Sequence, residues 1–515
     1  MPWTLVQQRF SEATSLGKRY ETIAATLERA IAGGQLKAGE RLPTVRQLSD
    51  DLGVSATTVG AAYKLLRRRG LIESAVGRGT FVAGPATNGS SAREMQVVRV
   101  PTQASTLGRR GRLAAPWRKR ALTASAAYLR SAYPGAADCS SGRPDPALLP
   151  LAPLQRAWAS AIAGVEQRDL QYTGPEPIPA LTAAVLPRLA ADEVVAESSD
   201  LIVGSSAQQV MMLSLEVMAE LAGPATAKHP IVAVEEPGYP TIFDAYERAG
   251  CRLVGVDVDE HGANPASVEA ALETGAKIVL FTPRAHNPTG ASWTVGRRVA
   301  LADVLAEHRD VYVIEDDQFA GITTTRPSSL LDDERLRDRV VYIRSFSKSI
   351  APDLRIAVAV ARPRLRSLLA EARSFTDGWT SRLLQRVLAK LLDDDETDEL
   401  LAFARDAYAS RREAVARVVD AGLAMRGGGV VVGDDGVNVW VHLPPGVESF
   451  AVVERAAALG VIVAPGEPFY IRPGRSDLVR INAGAVEAAQ AALAAEALVT
   501  AATMSDVPQA TVIAV

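Results

Sequence analysis

Six short runs rich in β-branched residues, DLIVG, IVAVEE, RLVGVDV, KIVLFTP, VYVIEDD and VVYIRS, recur between residues 200 and 345. Stretches of Ala, Leu and charge at helical spacing separate them. Strands that alternate with helices pair through crossovers, so the pattern predicts an α/β fold around a large, mostly parallel sheet, followed by a smaller C-terminal subdomain. Sheets of this kind hold ligands at the carboxyl ends of their strands. The polar motifs of this chain fall there, in the order CSSGRPDPALLP (139–150), YTGPEP (172–177), GSSAQQ (204–209), EEPGYP (235–240), PRAHNPTG (283–290), IEDD (314–317) and SFSKSIAPDLR (345–355), with APGEPFY and VRINAG near the end.

The first eighty residues follow a different rule. Ile23, Leu27, Ala30 and Ile31 share one helical face, and Gly33-Gly34 end that helix. Val45, Leu48 and Leu52 line a second helix stopped by Gly53, and Ser55 can cap a third whose Val59, Ala62, Tyr63 and Leu66 turn inward. Helix, glycine turn, helix is the order of a helix-turn-helix, with its second helix set for a major groove. LIESAVGRGTFV then reads as two short strands around a glycine turn, a wing whose Arg78 reaches phosphates or the minor groove.

Charge divides the chain in the same place. Residues 1–83 carry 12 Lys/Arg against 7 Asp/Glu, and residues 84–137 carry nine against the single Glu94. With a net charge of −3 over 515 residues, the rest of the chain is strongly acidic. A basic front and an acidic body point to a polyanionic partner for the front alone. The run GRRGRLAAPWRKR reads as a solvated tether that can add nonspecific DNA affinity, and TASAAYLRSAY as a short helix before the next domain. Cys139 and Cys251 are too few for a disulfide framework, which sets a reducing cytoplasm as the expected location. No signal-peptide core opens the chain, no segment reads as a membrane span, and five scattered histidines offer no metal-ligand spacing.

Residues 20–82 resemble a GntR-type winged helix-turn-helix through Tyr20, Gly39, Leu42-Pro43, Arg46, Gly53-Val54-Ser55, Thr58-Val59, Tyr63, Gly70-Leu71-Ile72, Gly77 and Gly79-Thr80. The resemblance implies DNA contacts from Arg46, Thr57, Thr58 and Arg78, with Arg41 beside them. Ala56 and Gly60 stand where relatives often carry arginine, which removes a bidentate guanine contact. The ordered motifs of residues 138–500 resemble a fold-type I aminotransferase domain, and the whole chain is similar to a MocR-type regulator of the GntR superfamily. The organisation so implied is a DNA-binding head at 1–83, a basic linker at 84–137, the aminotransferase-like body at 138–500 and a tail at 501–515.

Pyridoxal 5'-phosphate is the cofactor that this resemblance implies, and each motif residue can be matched to one of its needs. Lys348 is the amine that forms an imine with it. Ser345, Ser347, Arg355 and the N–H groups of Ala207 and Gln208 are phosphate donors. Asp316 matches the ring-nitrogen carboxylate, Tyr239 the stacking aromatic, Asn287 the amide on the ring hydroxyl, and Arg480 the grip on an effector carboxylate. Gln318-Phe319 replaces a tyrosine of relatives that touches the ring oxygen, and His286 replaces a glutamine. A cofactor-binding site less tuned for turnover suits a transcription regulator that senses the cofactor, or an amine or amino acid joined to it. By resemblance it is a head-to-tail homodimer on double-stranded DNA. Two other functions stay open: a working aminotransferase with a DNA-binding head, and an architectural DNA binder whose body is a dimerisation scaffold.

Overall fold

The computed structural model describes residues 19–32, 36–37, 39–68, 71–75, 79–82, 117–326, 329–431, 433, 435–472 and 474–504. The chain divides into two compact units near Pro101. The first contains α1 (Arg19–Ala32), β1 (Arg41–Leu42), α2 (Val45–Leu52), α3 (Ala56–Arg68), β2 (Ile72–Ala75) and β3 (Gly79–Val82). Thr44 starts α2 with a reciprocal cap: its hydroxyl accepts from Gln47 N–H at 3.2 Å, and the Gln47 side chain accepts from Thr44 N–H at 3.0 Å. Gly53, at φ +60°, ends that helix in the left-handed conformation glycine adopts freely. Two residues on, Ser55 Oγ accepts from Thr58 N–H at 3.1 Å and opens α3, as expected. Ile23, Leu27, Leu48, Val59, Tyr63 and Leu66 close one core, and Tyr63 donates to the Pro43 carbonyl at 2.8 Å. Strands β1, β3 and β2 pair antiparallel in that order as the wing.

The second unit begins, among the described residues, with α4 (Trp117–Ala132). This helix includes the end of the segment read as tether. Composition hides it because its most deeply buried side chain is an arginine, Arg118. The large sheet follows from β4 (Leu201–Gly204), β5 (Ile231–Glu236), β6 (Arg252–Asp259), β7 (Gly262–Ala263), β8 (Ile278–Phe281), β9 (Tyr312–Asp317), β10 (Val340–Ser345) and β11 (Ala357–Val360). Their order is β4-β11-β10-β9-β8-β5-β6-β7. Strands β10, β9, β8, β5 and β6 run parallel, while β11 is antiparallel to both neighbours and β7 to β6. The six runs picked out in the sequence are six of these strands. Helix α5 (Ala207–Leu221) follows β4, and α6 (Pro240–Arg248) follows β5. One apolar cluster, with Val279, Val313, Val340 and Val358, packs one face of the sheet, and a second, with Val232, Leu280, Ile314 and Ile343, packs the other. A parallel sheet covered on both faces accounts for the unbroken apolar runs.

Helix α7 (Asp395–Leu423) leads to a smaller antiparallel sheet of β12 (Gly429–Val431), β13 (Asn438–His442), β14 (Ala464–Pro465) and β15 (Leu478–Asn482), ordered β12-β13-β15-β14. The alanine-rich stretch near the end is helix α8 (Ala488–Thr503), packed into this subdomain's core. No helix among the described residues is long and apolar enough to cross a membrane.

At the end of β9 the side chain of Asp317 is fully buried. It accepts from Arg284 Nε at 2.7 Å and Nη2 at 2.6 Å and from the Tyr342 hydroxyl, with Arg344 Nε 3.8 Å away. Burial alone would raise its pKa, but Arg284 and Arg344 hold it below the usual carboxylate range. Asp317→Asn removes the fully buried charge that Arg284 and Arg344 share and leaves both guanidinium groups on the half-buried Asp192 alone. We expect it to lower the body's stability by about 3–5 kcal/mol in urea unfolding followed by tryptophan fluorescence.

Candidate cofactor and effector site

Of the predicted body residues, Tyr239 and Asp316 line one cleft, and Lys348 interacts with both Asp316 and Arg480. Lys348 lies just after β10, three residues beyond Ser345, and its Nζ donates to the Gly142 carbonyl. Burial, then the neighbouring Arg480 and Arg143, lower its pKa to about 8 against the opposing pull of Asp316. Gly142 also lies beside Arg480: a Cβ there would sit 3.8 Å from Arg480 Nη1. Arg480, in the middle of β15, is buried over the Phe469 ring at 4.9 Å. It donates through Nη2 to the Ser140 carbonyl at 2.5 Å and through Nη1 to Asn287 Oδ1 at 3.1 Å, while its buried Nε has no hydrogen-bond partner. Burial brings this guanidinium down to about 10. Asn287 thus meets Arg480 directly and is also approached by Asn438 Nδ2 at 3.4 Å.

Asp316 ends up differently from its neighbours on β9. Its Oδ2 accepts from Gln318 Nε2 at 2.7 Å, while the buried Oδ1 has no partner. Burial raises this carboxyl to about 7, with Asp317 adding to the rise and Gln318 and Lys348 opposing it. The cleft beside it is lined by Tyr239, His286, Thr282 and Glu235. Tyr239 precedes α6 and its phenol is raised by burial.

The remaining candidate residues of the body lie at the end of β10, in the first turn of α5 and just before β11. Ser345 Oγ accepts from Ser347 N–H at 3.3 Å, and Ser347 is half-buried. Ala207 and Gln208 form the first turn of α5, capped by Ser206, where backbone N–H groups lack intrahelical acceptors. Arg355 is exposed at φ +51° and makes no hydrogen bond or ion pair with the described residues.

The DNA-contact candidates sit in the other unit. Arg46 is exposed on α2 and Thr57 on α3. Thr58 is half-buried, with its hydroxyl 2.7 Å from Ser55 Oγ, which ties it to the helix cap. Arg41, on β1, lies against Gly79, where a Cβ would come within 2.8 Å of its Nε. Arg78 falls outside the described residues. Among the described residues no cluster of side chains suits a metal ion.

Chain comparison agrees with this division. The family "Bacterial regulatory proteins, gntR family" matches residues 19–82, and "Aminotransferase class I and II" matches residues 145–498. The chain is 30% identical over 455 residues to the vitamin B6 salvage pathway transcriptional repressor PtsJ of Salmonella typhimurium, covering 88% of this chain and 91% of that protein. It is a MocR-type regulator of the GntR superfamily. The probable rhizopine catabolism regulatory protein MocR of Rhizobium meliloti is 29% identical over 79% of this chain and 78% of its own length. The fold of a MocR-type body is also that of LysN, the α-aminoadipate aminotransferase of Thermus thermophilus. That structure superposes with a TM-score of 0.62 at 24% identity, covering 72% of this chain and 93% of LysN. The protein is therefore a DNA-binding transcription regulator with an aminotransferase-like domain.

Two site residues of this MocR-type body escaped sequence reasoning. Gly142 lies in the motif CSSGRPDPALLP, and only the fold brings its carbonyl to Lys348. Glu235 is buried in the cleft beside Asp316; its Oε2 accepts from Thr282 N–H at 2.7 Å and lies 3.5 Å from His286 Nε2, and its Oε1 is unpartnered. Burial, with Asp316 adding, raises it to about 8, and burial lowers His286 to about 3. The run of two glutamates in EEPGYP was the available signal, since charge at the end of an apolar strand has to be satisfied or neutralised. The folded chain holds a proton on Glu235 that the unfolded chain releases above its ordinary pKa near 4.5. Glu235 therefore contributes stability at low pH that is lost as pH rises toward 8. Urea midpoints measured from pH 5 to 8.5 should show a steeper fall with pH for the wild type than for Glu235→Gln.

Proposed function

We propose that the cleft of this regulator holds pyridoxal 5'-phosphate, and that DNA binding by the head responds to the cofactor or to an amine or amino acid joined to it. The observation that carries this reading is the buried Asp316 Oδ1, which has no partner, on a residue that lines a cleft with Tyr239 and feels the charge of Lys348. An orphaned carboxyl oxygen of this kind is costly unless a ligand N–H completes it. When bound, the cofactor supplies an aldehyde carbon that captures amines and an electron-withdrawing ring.

The chain's own residues meet those needs. A Lys348 pKa of about 8 leaves a useful fraction of neutral amine near pH 7.5, so Lys348 is nucleophilic without a separate base. Asp316 Oδ1 would accept the ring N–H, and a cationic ring would draw this carboxyl into its ionised form. Tyr239 would cover the ring and Asn287 would bond its hydroxyl. The first-turn N–H groups at Ala207 and Gln208, with Ser345, Ser347 and the unpaired Arg355, would hold the phosphate. An effector carboxylate at Arg480 would replace two neutral acceptors, Ser140 O and Asn287 Oδ1, with a charged one. Gln318, in the position of a phenol, spends its donor on Asp316 instead. That supports sensing over turnover. In the head, Arg41, Arg46, Thr57, Thr58 and Arg78 would contact DNA, and a homodimer would present two heads to paired half-sites.

A second reading is supported by the intact set of Lys348, Asp316, Asn287 and Arg480: a working aminotransferase. Steady transamination of alanine, glutamate or γ-aminobutyrate at rates typical of enzymes would favour it over the sensor.

The deciding measurement is affinity for the DNA upstream of its own gene at fixed salt, comparing cofactor-loaded wild type with Lys348→Ala. We expect both to bind that DNA, with the cofactor changing only the wild-type affinity; identical responses would remove the sensor reading. Arg46→Ala should weaken binding and reduce the slope of log affinity against log salt by about 1. Cofactor capture, followed by visible absorbance, should speed up as pH rises through about 8, where Lys348 loses its proton, and level off above.

A further inference from the structure

The helix α4 is the described segment that the chain enters after the DNA-binding head, and its anchor is unusual. Arg118 is 1% exposed. Its Nη1 and Nη2 donate to both carboxylate oxygens of Glu247 at 2.7 and 3.0 Å, and Nη1 also reaches Asp244 Oδ1 at 3.3 Å. Its Nε donates to the Tyr470 carbonyl at 3.1 Å. Asp244 in turn accepts from the backbone N–H groups of Arg118 at 3.3 Å and Lys119 at 2.8 Å, so a buried carboxylate caps the positive end of α4.

This clasp grips two pieces of the cleft wall at once. Asp244 and Glu247 lie on α6, the helix that begins at the ring-side Tyr239. Tyr470 follows Phe469, whose ring lies under Arg480 and whose carbonyl accepts from Gly238 N–H at 2.8 Å. Farther along α4, Leu122 packs with Trp440 and Phe469, and Leu129 enters the core of the C-terminal subdomain. A ligand that engages the Tyr239 ring or the Arg480 guanidinium acts on segments to which Arg118 is bonded directly. Buried bidentate geometry tolerates little sliding, so a shift in either wall breaks or remakes the clasp instead of stretching it.

We propose that Arg118 is a latch through which occupancy of the cleft is passed to the segment carrying the DNA-binding head. This rests on the cofactor reading above and adds the route by which the signal leaves the site. Arg118 is a positioning residue and touches no ligand. A merely structural role would lower stability and leave the response to cofactor intact; a latch separates the two.

The test uses the full-length protein and pyridoxal 5'-phosphate as the probe. Hydrogen–deuterium exchange over residues 117–132 should change when the cofactor is added to wild type and stay unchanged in Lys348→Ala. Arg118→Gln should keep the visible absorbance of bound cofactor while its ratio of DNA affinities with and without cofactor falls to about one. Glu247→Gln, which leaves the Asp244 contacts in place, serves if Arg118→Gln does not fold, and should reduce the same ratio. A wild type that binds cofactor with no exchange change over 117–132 overturns the latch alone, as does a folded Arg118→Gln or Glu247→Gln with the full wild-type ratio. A wild type that shows no cofactor absorbance overturns the underlying reading, and the latch with it.

Discussion

Three consecutive carboxyl groups end β9, and what each does about desolvation organises the body. Strand alternation sends Glu315 and Asp317 to one face of the sheet and Asp316 to the other. Glu315 is absorbed by Ser329 Oγ at 2.5 Å and Leu330 N–H at 2.7 Å, and burial raises it to about 7. Asp317 is neutralised by Arg284 and Arg344, which ties β9 to β10 and to the loop after β8. Asp316 alone keeps a free oxygen. The two satisfied groups hold the strand end rigid, so the unsatisfied one can be presented to a ligand at a defined place.

The same economy extends around the cleft. Arg480 is occupied by weak neutral acceptors, Lys348 by a backbone carbonyl, and Glu235 keeps a proton. Each is a provisional arrangement that a charged ligand can displace at low cost, because the donors are already desolvated and oriented. By resemblance, Gln318 and Phe319 replace the tyrosine with which relatives tune that site for turnover. In the sensing function proposed for the body, binding energy at such a site would be available for conformational work.

Most of the fold was legible because its signals are local. The six apolar runs became strands, the cap at Ser55 opens its helix, and Val59, Ala62, Tyr63 and Leu66 face the core as their spacing required. The docking of α4 was not legible. Its key side chain is an arginine, which composition assigns to solvent, and its partners Asp244, Glu247 and Tyr470 lie more than a hundred residues away.

The sequence by itself determined that a winged helix-turn-helix precedes an aminotransferase-like α/β body, because periodicity, glycine stops and ordered motifs depend only on neighbours along the chain. It also named Lys348, Asp316, Asn287 and Arg480 as candidates, through the resemblance of the motifs that carry them. The tertiary structure alone decided which of three adjacent carboxyls is left unpartnered, that the Gly142 carbonyl meets Lys348, that Glu235 lines the cleft beside Asp316, and that Arg118 joins α4 to α6 and to Tyr470. Those outcomes depend on desolvation and on partners brought together by folding, and neither can be read from spacing along the chain.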